Sequence, residues 1–157
     1  MKQWFNLRDR RGWANGEWDM EPDKMHWISE ETGFDCLIVR NCIGALCGYV
    51  GVPEGHPCFE MDYGLTELEI DSIDIHGGLN FADFCQPEDE DGEELARVCH
   101  PIEGAANELV WWLGFDCSHA LDEIPAVPIP ITGSAYRNFE FVQAEVERLA
   151  QQLKTIT

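Results

Sequence analysis

The stretch Cys36-Leu-Ile-Val-Arg40 and, across Asn41–Ala45, the stretch Leu46-Cys-Gly-Tyr-Val-Gly-Val52 decide the fold class. Both are rich in β-branched and aromatic residues, and Gly44 between them suits a turn position with positive φ, so they read as consecutive strands. Working downstream, Pro53-Glu-Gly-His-Pro57 is a stiff loop. Glu67 to His76 alternates acidic and apolar residues as a half-buried strand does. Gly77-Gly78 breaks that run, and Leu79 to Cys85 resumes as a partner strand. Leu109-Val-Trp-Trp-Leu-Gly-Phe115 is a continuous apolar run, expected as a central strand. At the end, Val142, Val146, Leu149 and Leu153 recur at helical spacing, opposite Glu145, Glu147 and Gln152, with Asn138 placed to cap the first turn. The expected fold is α+β: an antiparallel or mixed sheet packed against a C-terminal helix in a single domain.

Working upstream, residues 1–33 hold Trp4, Trp13, Trp18 and Trp27, four of the six tryptophans, among Asn, Gly, Asp and Pro. They read as an irregular arm whose rings pack back onto the domain of residues 34–157, or which binds a partner. At 157 residues, 45% hydrophobic, the chain needs no metal or disulfide merely to fold.

Charge excludes more than composition does. Ten Lys and Arg against thirty Asp and Glu give −20, which repels nucleic-acid phosphates and anionic membranes. Between Arg40 and Arg97 there is no base and there are fourteen carboxylates, part of them in the run Glu88 to Glu94. No apolar run nears the ~18 residues of a membrane span, and the Met1 end has no signal-peptide core, so a cytoplasmic setting is expected. Seven cysteines, an odd number without a CxxC pair, argue for reduced thiols. Cys36, Cys42 and Cys47 are expected in the core. Cys85, Cys99, His100 and Cys117 form a lesser candidate for a structural Zn site.

The chemistry-bearing stretch is Trp111-Trp-Leu-Gly-Phe-Asp116-Cys-Ser-His119-Ala-Leu-Asp122. In a tight turn, Asp116, His119 and Asp122 lie along one side; if the chain stays extended, Cys117 and His119 share a face and Asp116 points away. A second candidate is Asp74-Ile-His76-Gly77-Gly78, whose glycines let backbone approach a ligand closely. Joined, the two segments suggest His76, Asp116 and His119 as ligands of a divalent Zn, Mn or Fe, with Asp122 or Asp74 as general base. His56, Gly77, Gly78 and Arg137 would then face the substrate, Arg137 as a clamp for carboxylate or phosphate. The plainer reading has Asp116 and Asp122 capping a turn, His119 bonded to a carbonyl, and Arg137 in a local ion pair.

The segments Thr32 to Arg40, Leu46 to Pro53 with Gly55-His-Pro57, Asp74-Ile-His-Gly-Gly-Leu79, Trp111 to Asp122, and Tyr136-Arg137 span most of residues 32–153. Together they resemble a family of small phage and bacterial proteins of unassigned function. Where that family reads Thr after HGGL, this chain has Asn80. The resemblance implies a phage or prophage setting, where small proteins counter host defence, and carries over no catalytic residue. Three functions follow as expectations. The first is metal-assisted hydrolysis of a phosphate- or amide-containing small molecule. The second is an acidic decoy that binds a basic host protein through its negative charge. The third is a pocket sequestering a nucleotide-like signal.

Overall fold

The computed structural model describes residues 1–63, 72–86, 95–99 and 109–156. Six strands form one antiparallel sheet: β1 (Lys2–Trp4), β2 (Lys24–Ile28), β3 (Asp35–Arg40), β4 (Leu46–Pro53), β5 (Phe81–Asp83) and β6 (Val110–Asp116). Their order across the sheet is β1-β2-β3-β4-β6-β5. Among the described residues one long helix, α1 (Phe139–Thr155), lies on one face of the sheet, which is the α+β arrangement the sequence implied.

Alternation sorts the strand residues between two clusters. Met25, Trp27, Cys36, Ile38, Leu46, Val50, Leu113 and Phe115 point to the helix, whereas Leu37, Val39, Cys47, Tyr49 and Trp112 point to the opposite face. The helix answers with Val142, Val146, Leu149, Ala150 and Leu153, all fully buried. Each buried Val or Leu stabilises the packing by roughly 1.5–3 kcal/mol. Close docking depends on Gly48, where a Cβ would lie 2.6 Å from both Val146 and Phe115. Asn138 caps the helix, its side chain accepting from the Phe141 N–H at 2.9 Å.

Residues 1–33 are not an irregular arm. They supply β1, β2 and a 3-10 turn (Glu17–Met20), and β2 pairs with β3 along its whole length. The strand was hidden by its polar residues. Lys24 and His26 face away from the helix, where Lys24 reaches backbone carbonyls and His26 meets Asp35 at 2.9 Å. The expected packing of the rings does hold for Trp18 and Trp27, both buried. The expected strand from Glu67 falls partly at 67–71, outside the described residues, and Ile73–Ile75 is not a strand.

Two cysteine readings change. Cys85 and Cys99 are joined in a disulfide, which replaces the expectation of reduced thiols and of a Zn site at these sulfurs. Cys117 is buried in the helix-side core, and His100 lies outside the described residues. Cys42 is exposed in the turn between β3 and β4 rather than in the core, while Cys36 and Cys47 are buried as expected.

Candidate functional site

The site forms where β6 ends. Asp116 closes the strand, and its Oδ1 accepts the Ser118 N–H at 3.1 Å, which starts the turn. The Asp122 N–H then donates to the His119 carbonyl at 3.0 Å, and Asp122 Oδ2 accepts the His119 N–H at 3.0 Å. The turn geometry is therefore the one adopted, and Cys117 points into the core instead of sharing a face with His119. Leu121 sits at φ 72°, a left-handed conformation that a branched side chain rarely takes and that aims Asp122 inward. A bridge between Asp122 and Ala135 brings Arg137 alongside two residues later.

Asp122 is the hub. Its side chain is only 1% exposed, and it accepts from His76 Nε2 at 2.8 Å, from Arg137 Nε at 2.9 Å and from the His119 N–H. Burial alone would raise its pKa; the hydrogen bonds from His76 and Arg137, helped by the His119 N–H, outweigh burial and hold the carboxyl below its usual range. Beside this pair stands a second one. His119 Nε2 is 3.2 Å from Asp116 Oδ1, and the His119 and His76 rings are 5.8 Å apart, edge to face. Asn80 donates to the other Asp116 oxygen at 2.8 Å.

The 76–78 segment is built for this approach. Gly77 and Gly78 both take positive φ, and a Cβ on Gly77 would lie 2.0 Å from His119 Nε2. The His76 N–H donates to Glu145 of the helix at 2.8 Å, and the His76 ring packs edge-on against Phe141 at 5.3 Å. The start of the helix is fixed from below. Fully buried Arg40 bonds Asp23 Oδ1 at 2.9 Å and the Tyr136 hydroxyl at 2.8 Å, and the Phe139 N–H donates to Glu21 at 2.8 Å. That network sets the position of Tyr136 and hence of Arg137.

The structure thus brings His76, Asp116, His119, Asp122, Gly77 and Arg137 together, with Asn80 and Glu145, which the sequence reading did not assign to the site. Asn80 had surfaced only as a departure from a motif, and Glu145 only as a polar residue on the outer side of the helix. Two expected members are elsewhere. Asp74 is 88% exposed at its side chain and pairs with Arg148 of the helix at 3.5 Å, because its segment is not the strand that would have aligned it with His76. His56 lies at the far end of the helix, where Nε2 donates to the Leu153 carbonyl at 2.9 Å and Nδ1 accepts from the Cys58 N–H at 3.0 Å. Nε2 thus holds the helix end and Nδ1 the 56–58 loop. Gly78 has open space around its α-carbon.

For a metal, the expected ligands are close but differently engaged: Asp122 takes Nε2 of His76, and Asp116 takes Asn80 and the Ser118 N–H. Among the described residues no three His, Cys, Asp or Glu side chains are grouped so as to hold an ion. His76 is hydrogen-bonded to Asp122 through Nε2, whereas His119 Nε2 lies buried 3.2 Å from Asp116 Oδ1 without forming a hydrogen bond, and imidazoles so placed beside carboxylates are suited to proton exchange.

Among the described residues no helix is long and apolar enough to cross a membrane. Comparison with protein-family models, with curated proteins and with solved structures gives no match.

Proposed function

We propose that this chain is a small cytoplasmic hydrolase that uses two histidines as acid and base on a phosphate- or amide-containing small molecule. His76 takes a proton from water at Nδ1, because Asp122 holds Nε2 and keeps the ring in one orientation. His119, with Nε2 3.2 Å from Asp116, gives a proton to the leaving group as the water oxygen displaces it, and Arg137 meets the developing negative charge. The observation that carries the reading is the Asp122 carboxylate, buried to 1% exposure and shared between His76 and Arg137 with the His119–Asp116 pair beside it. A buried carboxylate that orients an imidazole is the arrangement that general-base catalysis requires.

The test is hydrolysis of bis(p-nitrophenyl) phosphate, p-nitrophenyl phosphate and a p-nitroanilide by wild type and by His76→Ala and His119→Ala, with and without chelator. Folding of each variant is checked by circular dichroism. Turnover that persists in chelator and falls by roughly 10²–10⁴ in His76→Ala supports the reading. Turnover lost in chelator and restored by Zn, Mn or Fe overturns it in favour of a metal held by His76, Asp116 and His119. No turnover of any substrate, or turnover indifferent to both histidines, also overturns it.

A further inference from the structure

The sheet face opposite the helix carries a cleft of about 290 Å³. This volume is at the lower end of the ~300–1,000 Å³ typical of small-molecule sites, enough for one ring system or a nucleoside and too little for a dinucleotide. Its apolar wall is Tyr49 with Phe81, rings 5.1 Å apart and edge to face. Gly114 makes that wall possible, since a Cβ there would lie 2.2 Å from the Tyr49 ring. Its polar rim holds Asn80, Gln86, Asp116 and Arg8. One carboxylate and one guanidinium balance locally, which favours an uncharged ligand, and the −20 of the whole chain disfavours a polyanion.

Asn80 and Asp116 are already joined at 2.8 Å and present a donor beside an acceptor. Asp116 Oδ1 already accepts the Ser118 N–H and Oδ2 the Asn80 amide, which leaves each oxygen one lone pair for two adjacent N–H groups side by side, and the Asn80 amide has a second hydrogen to give to a carbonyl. The heterocycle with two adjacent N–H donors next to a ring carbonyl is of the guanine type. Asp116 also lies 3.2 Å from His119, which does not itself line the cleft.

We infer that this cleft binds a guanine-type heterocycle, as the free base or nucleoside, with Asp116 and Asn80 reading its hydrogen-bonding edge against the Tyr49–Phe81 wall. The inference goes beyond the proposed function: it assigns a separate binding site on the face opposite the helix, which His76, His119 and Arg137 do not line.

The experiment is calorimetric titration of wild type and His76→Ala with guanosine, adenosine and glucose, repeated on Asp116→Asn and Asn80→Ala. Guanosine should bind wild type and His76→Ala alike, at least tenfold more tightly than adenosine. Asp116→Asn should lose that preference, and Asn80→Ala, a change at an exposed side chain, should weaken guanosine several-fold should Asp116→Asn fail to fold. Equal binding of adenosine, binding of glucose alone, or no binding at all overturns the inference. Nitrophenyl turnover without guanosine binding sinks the ligand class and leaves the acid–base reading standing. Guanosine binding without turnover does the reverse.

Discussion

Lys24 is 2% exposed, and its ammonium donates to the carbonyls of Leu95, Arg97 and Cys99 at 2.9, 2.9 and 3.0 Å. One buried cation therefore fastens the 95–99 segment to β2. Burial, with repulsion from Arg97 and Lys2, brings its pKa down to about 8 from 10.5. A fall of that size means that carrying the charge costs the folded state roughly 3 kcal/mol below pH 8. Between pH 8 and 10.5 the unfolded chain still holds the proton that the folded chain has released, so stability rises with pH in that window. Integrated from pH 7.5 to 10, the gain is about 2 kcal/mol.

Lys24→Met takes away the donor and the titration together. At pH 7.5 the variant should be less stable by ~1–3 kcal/mol, because three carbonyls lose their partner. By pH 10 its deficit relative to wild type should have grown by a further ~2 kcal/mol. Burial raises the thiols of Cys36, Cys58 and Cys117, which makes both proteins less stable above about pH 9, but this contribution is common to them and cancels in the difference. Urea denaturation followed by tryptophan fluorescence at pH 7.5, 8.5, 9.5 and 10 measures the gap. A gap that stays constant or narrows across that range refutes the reasoning.

Gly77→Ala and Gly78→Ala impose the same left-handed strain, roughly 1–2 kcal/mol, but only the first drives a methyl into His119. Gly77→Ala should therefore lower the melting temperature by several degrees more than Gly78→Ala and shift the imidazole NMR signals of His119; equal effects would refute the close approach. Cys85 and Cys99, 14 residues apart, close a loop whose cross-link is worth ~3 kcal/mol by chain entropy, so Cys85→Ser should lower the urea midpoint accordingly. Alkylation of denatured, unreduced protein should label five of the seven cysteines by mass spectrometry, and seven labels would contradict the disulfide.

Where the sequence was legible, side-chain polarity and burial agreed. The apolar faces of β3, β4 and β6, the helix stripe from Val142 to Leu153 and the Asn138 cap follow from local pattern and stand in the fold as read. Where it was not, a distant partner decided. Lys24 and Arg40 find their partners only when carbonyls some 70 residues away, or Asp23 and Tyr136, are brought to them. The strand β2 was missed for that reason. At the site, the close D-x2-H-x2-D spacing made the turn and its partnership with His76 conceivable from sequence. That Asp122 would be the shared carboxylate depends on Ala135 bridging to it, which no local spacing announces. Asp74 was misplaced because alternation near His76 suggested a strand that the chain does not form at Ile73–Ile75.

The strand order has a consequence for how the molecule is made. Strands β1 to β4 pair in chain order, each with its predecessor, so the first 53 residues can assemble through local contacts as they are synthesised. Every residue of the candidate site comes later: His76, Asn80, Asp116, His119, Asp122, Arg137 and Glu145 span the rest of the chain. Two of the last pieces, Arg137 and the helix that carries Glu145, are also what fix Asp122 and the backbone of His76 in place. A chain that stops short of the helix therefore carries all six strands but lacks the Glu145 and Phe141 contacts that hold His76, so the candidate site is complete only once the helix docks.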